Sequence, residues 1–392
     1  STPEQNRPVF VTTPIFYVNA APHIGHLYST VLTDSLKRWY EFKGHQTVFC
    51  TGTDEHGLKI QQAAAEAKTS PQEFCDGISS KFRDLFGSMN ISYTDYIRTT
   101  EPRHYEAVSV FWARRSEHHK KLLDRGYIYK GYHEGWYCVS DECFYPQAQV
   151  EVRITQAGER KMVSKESGRP VVWFKEENYK FKLSAFREPL IKWLTENPEA
   201  VIPANQYSQV LHDLTADAAN SLMDISVSRL KSRLEWGIPV PNDPDHVMYV
   251  WLDALVNYLT VTGYPWDTPA KAVLKNAWPA HVHVVGKDIV KFHAIYWPAF
   301  LMAADLPLPR QVLSHGHWLM GNQKMSKSVG NIVDPQALVE RFGVDPIRYF
   351  LMRNGGIGSD SEFSMEMVEM WLRKDLNDAL GNLVMRCTAP RI

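Results

Sequence analysis

No apolar run in the 392-residue chain approaches the roughly 20 residues that a membrane-spanning helix needs, so no membrane partner is expected. An excess of one charge sign is lacking too. Lys and Arg number 43 against 44 Asp and Glu, a net charge of −1, so any nucleic-acid contact must come from a local basic face. Cysteine is scarce: five residues, an odd number spread widely, argue against a disulfide framework and for a reducing interior. No internal repeat, low-complexity tract, signal peptide or transit peptide is visible. The first residue is Ser1 rather than Met, so a targeting segment removed beforehand fits as well, and compartment stays open.

What is present is the composition of a folded globular protein, 44% hydrophobic and 22% charged, and the length predicts two or three domains. The chain turns on Pro22-His23-Ile24-Gly25-His26. Val9 to Thr13 before it reads as a buried strand; after it Ile24, Leu27, Tyr28, Val31, Leu36, Trp39 and Tyr40 recur at helical spacing until Lys43-Gly44. Two histidines thus stand where a loop opens a helix. Unpaired backbone N–H groups and the helix dipole favour an anion there, and Gly25 allows close approach to the backbone.

A second unit follows, with a strand Thr47–Cys50, a polar loop Thr51-Gly52-Thr53-Asp54-Glu55-His56-Gly57 and a helix from Ile60 to Ala67. Two βα units in succession predict a parallel sheet with ligands at the carboxyl ends of its strands. Residues 70–130 read as helical. From about 131 to 182 aromatics alternate with polar residues, which predicts a β-rich insertion. Cys138 and Cys143 lie in it as C-x4-C, with His133 nearby; four ligands in two close pairs are wanted for structural zinc, so no metal is expected. Residues 183–235 again read as helix. The stretch Val247–Tyr258 starts as a strand and turns helical, putting Trp251, Ala254 or Leu255, and Tyr258 on one stripe. His281–Val285 is a further strand, followed by Gly286-Lys287-Asp288 and a helix carrying Ile289, Phe292, His293 and Trp297. The parallel sheet is therefore built from two halves. A last strand, Val312–His315, leads to Lys324-Met325-Ser326-Lys327-Ser328, a lysine–serine loop with Gly321 and Gly330 as hinges, suited to clamping phosphates.

His23-Ile24-Gly25-His26 near one end and Lys324-Met325-Ser326-Lys327-Ser328 near the other, each on a βα edge, resemble the catalytic core of class I aminoacyl-tRNA synthetases. Pro14-Ile15-Phe16-Tyr17, Thr51–Gly57, Tyr249–Ala254 and Gly286–Ile289 through Phe292-His293 to Trp297-Pro298 are similar to the methionyl-tRNA synthetase family, and the likeness covers essentially the whole chain. It implies an α/β fold: a split Rossmann-like nucleotide-binding parallel sheet with a β-rich connective insertion and a C-terminal helical stem-contact region. The implied divisions are 1–115 and 236–330 for the two halves of the catalytic domain, 116–235 for the insertion, 331–370 for the stem-contact region, and 371–392 for the start of an anticodon-binding helical domain extending past Ile392, as in a trimmed chain.

The resemblance also implies an ATP-dependent ligase that activates L-methionine to methionyl-adenylate and passes it to tRNA(Met). His23, His26, Lys324 and Lys327 would be catalytic; these four with Gly25, Gly286, Asp288 and Ser326 would bind ATP. Asp54 would hold the methionine amino group, and Ile15, Tyr17, Trp251, Ala254, Tyr258, Ile289, His293 and Trp297 would form the side-chain pocket. Expected cofactors are ATP with Mg²⁺ and no structural zinc, and a monomer is expected. The missing cysteine pairs, and Leu255 where many members have proline, resemble the organellar branch, which implies the mitochondrial matrix, with the cytoplasm as the alternative. Rivals are an isoleucine, leucine, valine or cysteine synthetase, an inactive RNA-binding relative, and a small nucleotidylyltransferase.

Overall fold

The computed structural model describes residues 7–113, 122–123, 125–139, 143–145, 147–154, 159–215, 222–325 and 333–389. Its centre is a seven-stranded sheet of β1 (Val9–Thr12), β2 (Phe16–Tyr17), β3 (Thr47–Asp54), β4 (Asp95–Arg98), β5 (Val201–Ile202), β6 (Val282–Gly286) and β7 (Val312–His315). Every pairing is parallel, in the order β5-β7-β6-β1-β3-β4, with β2 following β1 along the same side of β3. The chain builds outward from β1 to β3 and β4, then returns to lay β6 and β7 on β1's other side. Strand order reverses between β1 and β6, and a crevice for ligands opens at the carboxyl ends of strands at such a point.

Alternation along the strands explains the two layers. Val9 and Val11 pack into one core with Ile24, Leu27, Tyr28 and Val31 of the helix α1 (Ile24–Phe42), and with Ile347, Phe350 and Leu351. Phe10 packs into the other core with Leu252, Leu255, Tyr258, Trp297 and Phe300. A sheet covered on both faces needs apolar residues at consecutive positions, and all four residues of β1 are buried.

Three readings of the sequence need correction. The second strand does not stop at Cys50; it runs to Asp54, so Thr51, Gly52 and Thr53 are strand rather than loop. Gly52, read as part of a polar loop, marks a close approach: a Cβ there would lie 1.9 Å from the Ile97 carbonyl oxygen of β4. The strand β4 interrupts the stretch read as helical between the helices Pro71–Ser88 and Pro102–Ala113. The two-residue β5 likewise interrupts 183–235, between the helices Arg187–Glu196 and Ala204–Thr215. Strands of four and two residues are too short to show a period of their own.

Between the halves, Ile128–Cys138 pairs antiparallel with Val172–Phe181 and Cys143–Tyr145, and Val150–Ile154 pairs with Arg160–Ser164 as a separate ribbon. Cys138 and Cys143 face each other in register; the side chains of Cys143 and His133 lie outside the described residues. After β7 a short hairpin, Trp318–Met320 with Gln323–Lys324, pairs through its first strand with Ser361–Glu362, and helices follow to Thr388.

Gly52→Ala is expected to lower the free energy of unfolding by about 1–3 kcal/mol in denaturant titration, as overpacking does. Gly77→Ala, inside the Pro71–Ser88 helix where a Cβ meets nothing within 4 Å, is the control and is expected to stabilise by up to ~1 kcal/mol. Equal effects of the two substitutions would contradict the close β3–β4 approach.

Candidate active site

The site begins with how α1 is capped. His23 is its N-cap, extended at φ −131°, and its Nδ1 accepts from the Gly25 N–H at 3.1 Å. His26, three residues on, accepts the His23 N–H through its own Nδ1 at 3.2 Å. Two imidazoles thus make the reciprocal contacts that a hydroxyl and a carboxylate usually make. With both Nδ1 atoms accepting, each neutral ring carries its proton on Nε2 and can donate from there. The rings stack with centroids 3.8 Å apart, and His26 also meets Phe16 at 5.1 Å and Phe82 at 5.2 Å. Burial, and after it the neighbouring His23, hold the His26 pKa well below 6.5, against the opposing pull of the Asp288 carboxylate. Gly25 has a structural reason of its own: a Cβ there would stand 2.9 Å from His23 Cε1, so any side chain would push the capping ring aside.

Across the strand reversal, β6 ends at Gly286, and Lys287–Ile289 form a single 3₁₀ turn. Asp288 on that turn is near enough to act on the charge of both His26 and His315. His315, last residue of β7, meets Ser29 of α1 at 2.7 Å through Nε2. His23, Gly25, His26, Gly286 and Asp288 therefore come together at one edge, on the loops after β2 and β6. The hairpin towards the lysine loop leaves the sheet from β7, at that same edge. Lys324 ends its second strand and Met325 packs on the α1-side core. The Lys324 side chain, Ser326 and Lys327 lie outside the described residues.

The apolar side of the site is built on the helix Val250–Thr260 and the turns after β6. Tyr258 OH donates to His293 Nε2 at 2.7 Å, because His293 Nδ1–H must donate to the Ile289 carbonyl at 3.0 Å. Burial lowers the His293 pKa to about 4, so that ring is neutral. Trp297 is fully buried 6.0 Å from Tyr258, and Ile15 and Ile289 border the same core. Trp251 stacks on Phe292 with centroids 3.5 Å apart, and Ala254 is buried. Tyr17 stands opposite Asp54 in register where β2 meets β3. Tyr258, Ile289, His293 and Trp297 are thus gathered by contact, while Tyr17 and Asp54 share a rung at the sheet edge.

Sequence reasoning missed what holds these residues. Of the run Asp54-Glu55-His56, two are internal fasteners. Glu55 takes a two-pronged bond from Arg98 at 2.7 and 2.9 Å, with Thr53 and Thr100 each at 2.6 Å. His56 Nδ1 meets Asp253 at 2.6 Å, and Asp253's other oxygen takes His104 Nε2 at 2.7 Å. A carboxylate among Trp251, Leu252, Ala254 and Leu255 has to find partners when buried, which is the signal the sequence carried. Nothing in the sequence pointed to His104.

Comparison with known proteins follows from this geometry. The family model described as "tRNA synthetases class I (M)" matches residues 9–388. The chain is 48% identical over 391 residues to a probable mitochondrial methionine–tRNA ligase of Neurospora crassa, covering 100% of this chain and 61% of that protein. It is 53% identical over 386 residues to the mitochondrial methionine–tRNA ligase of Homo sapiens, covering 98% and 62%. The chain thus spans about three fifths of the length of these relatives. Among solved structures, the Mycobacterium tuberculosis methionyl-tRNA synthetase in complex with methionyl-adenylate superposes with a TM-score of 0.89 at 41% identity, covering 97% of this chain and 71% of that one.

Imidazoles that are wholly or partly buried make stability depend on pH. His26, His281, His283 and His293 all titrate below the ordinary value, with burial the first cause in each. The unfolded chain takes up those protons near pH 6.5, so stability is full above that pH and falls as the pH drops towards 4, where His281 and His293 titrate. The His293 share is on the order of 3 kcal/mol. Denaturant midpoints are expected to be level from pH 8 to 7 and to decline steeply between 6.5 and 4.5. In His293→Gln the decline is expected to be shallower, and an unchanged slope would contradict the neutral, buried ring.

Proposed function

Because the chain belongs to the class I (M) tRNA synthetases, we propose that it carries the catalytic part of a methionine–tRNA ligase. The observation that carries the reading is the pair of Nδ1-accepting imidazoles at the head of α1, facing Asp288 across the strand reversal. A helix start with two directed N–H donors suits a phosphate that gains charge in the transition state. The methionine carboxylate attacks the α-phosphorus of ATP, an oxygen–phosphorus bond forms, and the bond to the β-phosphate oxygen breaks to release pyrophosphate. A ribose hydroxyl at the 3′ end of tRNA(Met) then attacks the acyl carbon and AMP leaves. No protein nucleophile takes part, so positioning and charge do the work.

His23 and His26 hold the α-phosphate in this scheme. Lys324 and Lys327, with Ser326, take the β- and γ-phosphates, Gly25 admits adenine, and Gly286 with Asp288 meets the ribose. Magnesium would arrive on the nucleotide's phosphates, where it would supply positive charge. Asp54 binds the amino group. The pocket of Ile15, Tyr17, Trp251, Ala254, Tyr258, Ile289, His293 and Trp297 takes the thioether. A neutral, apolar, aromatic wall suits a sulfur that makes no strong hydrogen bond, and the lowered His293 pKa supports that reading. Charged groups nearby are held by their own hydrogen-bond partners, as Asp253 is by two histidines. The names of the relatives support the mitochondrial matrix as the site of action.

Pyrophosphate exchange measured with each of the twenty amino acids is expected to require methionine. Exchange with leucine or isoleucine would reassign the substrate, and none at all would favour a binding role. Lys327→Ala is expected to keep methionine binding and to slow exchange by about 2–4 kcal/mol of barrier, the cost of one preorganised contact. A normal exchange rate in that variant would remove Lys327 from the scheme.

A further inference from the structure

Asp288 is held by a residue that no motif singled out. His317 Nε2 lies 3.2 Å from Asp288 Oδ1, within ion-pair reach of that carboxylate. The same Oδ1 sits 2.8 Å from where a Cβ on Gly286 would be. Glycine at 286 thus leaves the notch that the carboxylate fills, and His317 holds the same oxygen there.

His317 is itself fastened. Its backbone N–H donates to Asp360 Oδ1 at 2.9 Å, and its carbonyl accepts from the Ser361 N–H at 2.8 Å. Asp360 also takes Lys287 Nζ at 2.7 Å, so it binds both the turn that carries Asp288 and the loop that carries His317. Gly316 has no room for a side chain, since a Cβ would stand 2.0 Å from the Ser359 carbonyl oxygen. Three segments, 286–288, 315–317 and 359–361, are therefore joined around one carboxylate. Immediately after His317 comes Trp318–Met320, first strand of the hairpin whose second strand ends at Lys324.

We propose that His317 is a positioning residue that sets ribose specificity: it fixes the Asp288 carboxylate for the nucleotide's hydroxyls and ties that orientation to the base of the lysine hairpin. It touches none of the reacting atoms. The inference rests on the reading that Asp288 faces the ribose.

The test uses the whole chain with His317→Phe, which removes the donor, and His317→Gln, which keeps an N–H. ATP, 2′-deoxy-ATP and 3′-deoxy-ATP are compared in methionine-dependent pyrophosphate exchange and in calorimetric binding without methionine. His317→Phe is expected to raise the KM and Kd for ATP about tenfold, the worth of one close polar contact to a charged group, with the methionine KM unchanged. The deoxy nucleotides are expected to be affected less, so discrimination between ATP and at least one of them narrows, and His317→Gln recovers most of it. Discrimination unchanged in His317→Phe, with unfolding still cooperative, would overturn the inference while leaving methionine activation standing. Absence of exchange in the parent chain, with binding that still follows His317, would instead overturn the substrate reading and support the inference.

Discussion

The site depends on a single local arrangement, the mutual capping of α1 by His23 and His26. A helix start leaves backbone N–H groups without partners, and a side chain that accepts one of them fixes where the helix begins. Here the side chains that cap are themselves half-buried rings packed on each other. Committing each Nδ1 to the backbone decides the tautomer and puts the proton on Nε2. Stacking, and for His26 the rings of Phe16 and Phe82, hold the pair in place. Burial keeps His26 uncharged. Two donors fixed before any ligand arrives cost no reorganisation when charge develops near them.

The parallel sheet delivers everything else to that edge. β6 brings Gly286 and Asp288, β7 brings His315 and the hairpin, and β3 brings Asp54. Around these stands a ring of buried polar groups that satisfy one another: Glu55 with Arg98, and Asp253 with His56 and His104. Removing one member of such a set strands a buried charge at a cost of roughly 3–5 kcal/mol. The network therefore ties the end of β3 to the helix Val250–Thr260, on which Trp251, Ala254 and Tyr258 stand. A rigid, neutral wall on one side and fixed donors on the other follow from the same packing.

The parts of this architecture that local chemistry dictates could be read from the sequence. The strand, loop and helix around His23–His26, the strand before Gly286 and the strand-to-helix stretch through Trp251 were visible as apolar runs broken by polar turns. Features fixed only by tertiary contact were hidden. Gly52 read as part of a polar loop because a glycine placed for a neighbouring strand's carbonyl resembles one placed in a loop. β4 and β5 are shorter than any period they could display. Glu55 and His56 read only as part of a polar loop beside Asp54, and Arg98 and Asp253, far away in sequence, reveal them as supports. The assignment of substrate roles rested on family likeness rather than on spacing, because an apolar stripe is the same whether it lines a pocket or a core.

The most direct test is the ring-nitrogen NMR spectrum of His23 and His26 in the ligand-free protein. The account predicts that both rings are neutral at pH 7 with the proton on Nε2, and that His26 stays so well below pH 6.5. A proton on Nδ1 of either ring, or a charged His26 at neutral pH, would contradict it.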